Sequence, residues 1–260
     1  MNIIVFLKMV PDVVEELKIA DNGITLDEDW LRLKLNDSEE QALEEAILLK
    51  EKFGGTVTAV ALDTPEIDES LFLALAKGAD KAVKIIGDWK DYRSPAIAKV
   101  FAEYIYKNEI LNSNDTIFLA GAQSFDDIEG EMTYYLSRNL ELPVEGVVTA
   151  INYEPAQNSI TFIKEFAGGL RGEFITPLPA IIGIQAAENP PRYIPIAKIR
   201  AIMKTAKIEE VEIVLEEVPD FLAINKMFEP ETSDKAEMLE GNPDAIASRI
   251  VDILTEKAII

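Results

Sequence analysis

The 260-residue sequence contains no cysteine and no histidine. Without them there are no disulfides and no zinc or iron sites built on Cys and His. Ser-His-Asp and Cys-His triads are excluded as well, together with histidine acid–base chemistry. Positive charge is scarce: 25 Lys and Arg stand against 47 Asp and Glu, a formal net charge of −22. Such a chain is not built to neutralise a nucleic-acid backbone or to settle on an anionic membrane surface. It fits basic partners. Long apolar runs are missing too, and none approaches the ~18–20 residues that span a bilayer. The opening MNIIVFLKMVPDVVEE lacks a basic leader region, with about six apolar residues before Lys8, and reads as a buried first strand rather than a signal peptide. We expect a soluble, cytoplasmic chain with no direct membrane insertion. G-x-G-x-x-G, G-x-x-x-x-G-K-[ST] and Ser-Gly-Gly are also absent, so ATP consumption has no motif to rest on.

What is present is a core, since 48% of the residues are hydrophobic. Asn2–Leu7 is a continuous apolar run, as in a strand covered on both faces. Asp21-Asn22-Gly23 between two short β-like pieces predicts a hairpin excursion. NDSEEQALEEAILLKEKFGG predicts a helix capped by Asn36 or Ser38, with acids in its first turn, and stopped by Gly54-Gly55. Thr56–Leu62 is the second strand, and Thr64-Pro65-Glu66 opens the next helix with Pro at its first position. Lys81–Ile86 is a third strand, Ser94-Pro95 opens a third helix, and Asp115–Gly121 is a fourth strand. Met132, Tyr135, Leu136 and Leu140 mark a fourth helix. This alternation predicts βαβ units, a parallel sheet and right-handed crossovers. VVTAINYE, SITFIKEF and LRGEFIT then read as antiparallel strands, with Gly168-Gly169 turning between the last two, and Pro179–Gln185 returns to a buried strand.

The junction AGAQSFDDIEGEMTYYL, from Ala120 to Leu136, runs from the end of a strand into a helix. In an α/β protein that is a phosphate address. Yet the loop carries Asp126, Asp127, Glu129 and Glu131, and no Lys or Arg. Three readings stand: a hard-metal site, acids set favourably at a helix start, or an anion site altered to reject phosphate.

Beyond Pro190-Pro191 the character changes. AKIRAIMKTAK is basic and helical, whereas Ile208–Asp220 holds six acids and no base. Asn242-Pro243 caps a terminal amphipathic helix. One such helix does not bury its own apolar face. We expect residues 205–260 to form an arm that wraps a partner chain, with packing on its own domain as the alternative. Residues 1–204 form the α/β nucleotide-binding-like domain. Arg192, Tyr193, Ile194, Pro195 and Ile196 lie on a Pro-stiffened loop, either buried locally or forming a docking knob.

The order of these segments resembles the beta subunit of electron transfer flavoproteins over essentially the whole chain. The pieces are FLKMVPD (Phe6–Asp12), NDSEEQALEEA (Asn36–Ala46), LAKGAD (Leu75–Asp80) and GAQSFD (Gly121–Asp126), then Gly168-Gly169 with LPAII (Leu178–Ile182), and PRY (Pro191–Tyr193). DNGITLDEDWLRLKLND and IDESLFLALAKGADKAVKI look closest to the branch serving trimethylamine dehydrogenase. The resemblance implies a Rossmann-like parallel sheet flanked by helices, of the adenine nucleotide alpha hydrolase-like kind, with an antiparallel extension. It implies a heterodimer with an alpha subunit that holds most of a redox FAD. It also implies docking to a flavoprotein dehydrogenase, and electrons passed toward a membrane quinone reductase. No residue of this chain is then needed for catalysis. Val13 and Ser38 fall where the family approaches the flavin, and Arg192–Ile196 on its recognition loop, with Ile196 the apolar anchor.

The family's second nucleotide, AMP or FAD, maps onto Phe6, Asn36, Leu62, Asp63, Gly121, Gln123, Asp126, Glu129, Gly130 and Glu131. Several of these depart from the family pattern. Phe6 replaces a small residue beside adenine, and Asp63 replaces a glycine. Glu129 and Glu131 replace the Thr and Gln that donate to phosphate. Ala167 and Arg171 depart from the Gly-Gly segment's usual acid and Glu or Gln. Two anions within ~4 Å repel by ~1 kcal/mol even in water, and the loop itself supplies no cation. The expectation is a site that binds neither AMP nor a second FAD, or binds them only weakly. Two rivals remain from the residues: an adenine-nucleotide enzyme of the same fold, and a non-redox binding module.

Overall fold

The computed structural model describes residues 1–90, 92–127, 130–215, 217, 223–229, 236 and 238–260. Contacts divide the chain into two units, Met1–Asn225 and Lys226–Ile260.

The first unit opens with β1 (Asn2–Leu7), β2 (Met9–Pro11) and β3 (Leu33–Leu35), followed by α1 (Asp37–Phe53). Next come β4 (Thr56–Leu62), α2 (Ile67–Lys77), β5 (Lys81–Ile86) and α3 (Ser94–Lys107). β6 (Thr116–Gly121), α4 (Met132–Leu140), β7 (Val144–Glu154), β8 (Ser159–Phe166) and β9 (Leu170–Pro177) follow. β10 (Ala180–Ile184), α5 (Ile196–Thr205) and β11 (Glu209–Glu212) complete it.

Nine strands form one sheet in the order β11-β5-β4-β1-β6-β10-β7-β8-β9. Pairing is parallel from β11 through β7, then antiparallel to β8 and β9. β2 and β3 form a separate antiparallel pair. The expected hairpin excursion carries a bridge from Ile19 to Leu26.

Side-chain alternation along β1 builds two cores. Ile3, Val5 and Leu7 join α1 and α2 on one face. Ile4 and Phe6 join α3 and α4 on the other. Each fully buried side chain of this size contributes about 1.5–3 kcal/mol.

Segments that carry the family resemblance act as staples between elements. Buried Lys77 reaches Glu40 at 2.8 Å, tying LAKGAD to α1. Asp80 accepts from Lys50 at 2.7 Å and from the Val57 N–H at 2.8 Å, fixing the entry into β5.

Three sequence expectations shift. α2 begins at Ile67, because Glu66 takes a left-handed conformation (φ 65°), so Pro65 lies in the preceding turn rather than at the first helical position. Asn36 occupies the cap position of α1 without a side-chain capping bond. Its amide is used elsewhere, as described below. The boundary at 204/205 falls inside the first unit, because Glu209–Glu212 pair with β5. There the Lys84 ammonium reaches Asp68 at 3.0 Å and Glu210 at 3.3 Å, and Lys107 donates to the Glu212 carbonyl at 2.8 Å. Charge from two other elements thus fastens this part of the acidic segment. Residues 216 and 218–220 of that segment lie outside the described residues.

The second unit contains α6 (Pro243–Glu256), capped as expected by the Asn242 side chain, which accepts from the Ala245 N–H. Ile250 and Val251 are exposed on it. Among the described residues, no helix is long and apolar enough to cross a membrane.

Candidate functional site

Strand order reverses between β1 and β6, which places a switch point there. In open parallel sheets, ligands collect at the carboxyl ends of the strands on either side of such a reversal. The chain after β1 begins with Lys8, and the chain after β6 is the acidic loop. The fold therefore brings together residues more than a hundred positions apart. The Lys8 ammonium donates to Asp126 Oδ1 at 2.7 Å and to Ser124 Oγ at 3.0 Å. Ser124 Oγ also donates to Asp126 at 2.7 Å. The loop itself supplies no cation, as expected; one arrives through space, from Lys8 just beyond β1.

The loop is pinned on its other sides. The Ser94 hydroxyl, in the first turn of α3, donates to Asp127. Ser124 and Asp127 exchange backbone bonds across the turn, at 3.3 and 3.1 Å. The Asn36 amide donates to the Gln123 carbonyl at 2.9 Å and to the Glu39 carboxyl. Gly121 permits this approach: a Cβ there would meet Glu39 Oε2 at 2.6 Å and the Ser38 Cβ at 2.8 Å. Gly130 has φ +67°, and a Cβ would meet the Ala122 carbonyl at 2.4 Å. Ser38, Glu39 and Asn36 are thus part of the switch-point cluster. Glu39 has no place in the sequence reading, which offered only its position in a helix's first turn. Burial pushes its carboxyl up to about 8, against the opposing influence of the Asn36 bond and the Lys8 charge.

Of the other residues assigned to the nucleotide, Phe6 and Leu62 lie near the carboxyl ends of the neighbouring strands β1 and β4. Phe6 is 1% exposed and belongs to the core. Its ring lies 4.4 Å from that of Phe101 and 6.3 Å from that of Phe118. Leu62 is buried in the same cluster. Asp63 faces Lys84, at 4.0 Å. Glu131 sits at the cap position of α4, and Glu129 lies outside the described residues. Val13 is exposed on the excursion.

This arrangement does not fit a phosphate. Lys8 is already shared between Asp126 and Ser124, and Asp127 and Glu131 add negative charge at the start of α4. That field is felt by the Tyr135 phenol, held above its usual range by desolvation and by the Glu131 and Asp127 carboxylates. One feature points the other way: the Thr133 hydroxyl, in the first turn of α4, is buried without a hydrogen-bond partner. A single neutral donor does not offset two carboxylates. Among the described residues, which leave out Glu129, no three acids converge as a metal site requires.

A second candidate surface lies after β10. Tyr193 is 83% exposed and Ile196 62% exposed. Pro195 is exposed as well, and Ile194 is partly covered. Arg192 is turned inward instead. It donates from Nε to Glu44 at 2.7 Å and from its two terminal nitrogens to Glu51 at 2.6 and 3.0 Å.

A family model described as electron transfer flavoprotein domain matches residues 23–216. The chain belongs to the electron transfer flavoprotein family. It is 30% identical to electron transfer flavoprotein subunit beta of Methylophilus methylotrophus, over 98% of each chain. It is 28% identical to the subunit beta of Bacillus subtilis, over 99% of each. With the subunit beta of Dictyostelium discoideum it shares 27% identity, over 80% of this chain and 79% of that one. The likeness to electron transfer flavoprotein beta subunits thus runs across both units and both candidate surfaces.

Proposed function

We propose that this chain is the cytoplasmic beta subunit of a heterodimeric electron transfer flavoprotein, an electron carrier and not an enzyme. Its alpha subunit holds most of an FAD, and that flavin supplies the electron-carrying centre. This chain buttresses the partner, with Val13 and Ser38 assigned beside the flavin and residues from Lys226 onward forming the wrapping arm. A flavoprotein dehydrogenase delivers electrons, and a membrane quinone reductase receives them. Trimethylamine dehydrogenase is the donor that the sequence favours.

One observation carries the docking part of this reading: Tyr193 and Ile196 stand exposed on a loop whose neighbouring charge is turned inward. Exposed aromatic and aliphatic anchors on a fixed backbone are what a docking surface requires. The segment that follows, with Lys198, Arg200, Lys204 and Lys207, is basic in an otherwise acidic chain. The switch point of this chain holds neither AMP nor a second FAD, because Lys8, Asp126 and Ser124 satisfy one another there.

Co-expression with the alpha subunit tests the reading. The expected product is a yellow heterodimer with one flavin spectrum, reduced by a dehydrogenase. A colourless monomeric chain would refute it.

A further inference from the structure

The segment that leads to the docking loop is held by one face of α1. Leaving β10, it places the Ala187 N–H 3.0 Å from Gln41 Oε1 and the Glu188 N–H 2.9 Å from Glu45 Oε2. The Arg192 N–H then donates to Glu44 Oε2 at 2.9 Å, while its Nε takes the other Glu44 oxygen. Gln41, Glu44, Glu45 and Glu51 fall on adjoining helical positions, so they form a stripe along α1. Glu44 is only 2% exposed, and Arg192 bridges it to Glu51, which is 55% exposed. Burial holds the Glu45 carboxyl above its usual range, while the Arg192 bond holds Glu51 below it. A buried acid on a helix flank does nothing for the core. Its two oxygens here take the backbone N–H and the side-chain Nε of Arg192.

We propose that Arg192 is a positioning residue for docking. It does not touch the dehydrogenase but locks the backbone so that Tyr193 and Ile196 are presented in their binding geometry before the encounter. A loop ordered in advance loses less conformational freedom on binding. The inference rests on the docking reading above.

The test uses the whole heterodimer, with trimethylamine dehydrogenase and trimethylamine as the electron source. Arg192→Gln, Arg192→Lys, Glu51→Gln and Ile196→Ala are compared by amide hydrogen exchange over residues 186–196 and by steady-state electron transfer. Arg192→Gln is expected to speed exchange and to raise the KM for the heterodimer by about tenfold, leaving kcat unchanged. Arg192→Lys pairs with one carboxylate but does not bridge two, and falls between. Glu51→Gln, at the exposed end of the clamp, gives the same two changes in smaller measure without disturbing buried Glu44. Ile196→Ala raises KM without changing exchange. Unchanged exchange in both Arg192→Gln and Glu51→Gln overturns the clamp. Faster exchange with unchanged KM, while Ile196→Ala still raises KM, overturns positioning and leaves docking standing. If Ile196→Ala leaves KM unchanged, the docking reading fails and this inference falls with it.

Discussion

The switch-point loop and the proposed docking loop both lean on α1, yet they use charge in opposite ways. At the switch point the charged groups face one another: Lys8 serves Asp126, Ser94 serves Asp127, and Asn36 serves Glu39 and Gln123. Among the described residues, only the Thr133 hydroxyl is left there without a partner to offer an anion. At the docking loop the charged groups lie beneath the chain, and Arg192 spans Glu44 and Glu51 while Tyr193 and Ile196 point outward. Polar networks of similar size therefore close one surface and display another. What decides is the side of the backbone on which the partners sit.

Three substitutions sharpen or break this contrast. Arg192→Ala strands the buried Glu44 carboxylate, and removal of one partner from such a pair costs about 3 kcal/mol. Urea unfolding of the heterodimer should show a loss of this size, and a loss under ~0.5 kcal/mol would mean that the clamp carries no strain when released. Next comes Glu39. Its folded pKa is raised from 4.5 to about 8, so the folded chain keeps a proton that the unfolded chain has released. The stability that this group contributes is then full below about 4.5 and is lost as pH rises toward about 8. Glu39→Gln should flatten that slope and stabilise the protein at pH 8. An identical slope in the variant would locate the pH dependence elsewhere. The smallest effect belongs to Lys8→Ala. Its pair with Asp126 is partly exposed, with side-chain exposures of 26% and 34%, so about 0.5 kcal/mol is expected. A cost equal to that of Arg192→Ala would erase the distinction between the two regions.

Much of the fold was legible from local chemistry. Apolar runs located the parallel strands, Gly54 stopped its helix, and Asn242-Pro243 capped the last one. The misplaced start of α2 depended on Glu66 adopting a positive φ, which few side chains do. The sites were less legible, because their decisive contacts join distant positions. Lys8 meets Asp126 only once β1 and β6 are neighbours. Arg192 finds Glu44 across 148 residues, so the sequence left open whether its loop was buried locally or formed a docking knob. Phe6 was legible as a bulky replacement, but its consequence, a ring stacked in the core, needed Phe101 and Phe118 in place. The acidic run after Ile208 gave no hint that Lys84 and Lys107 hold part of it as an edge strand.

The central claim is that this chain supports a flavin held by its partner while its own nucleotide address is closed. The most direct measurement is the nucleotide content of the purified heterodimer, released by acid and quantified against protein. The account predicts about one FAD per heterodimer, the number that a single flavin site in the partner requires, and no stoichiometric AMP. Stoichiometric AMP, or two flavins per heterodimer, would contradict it.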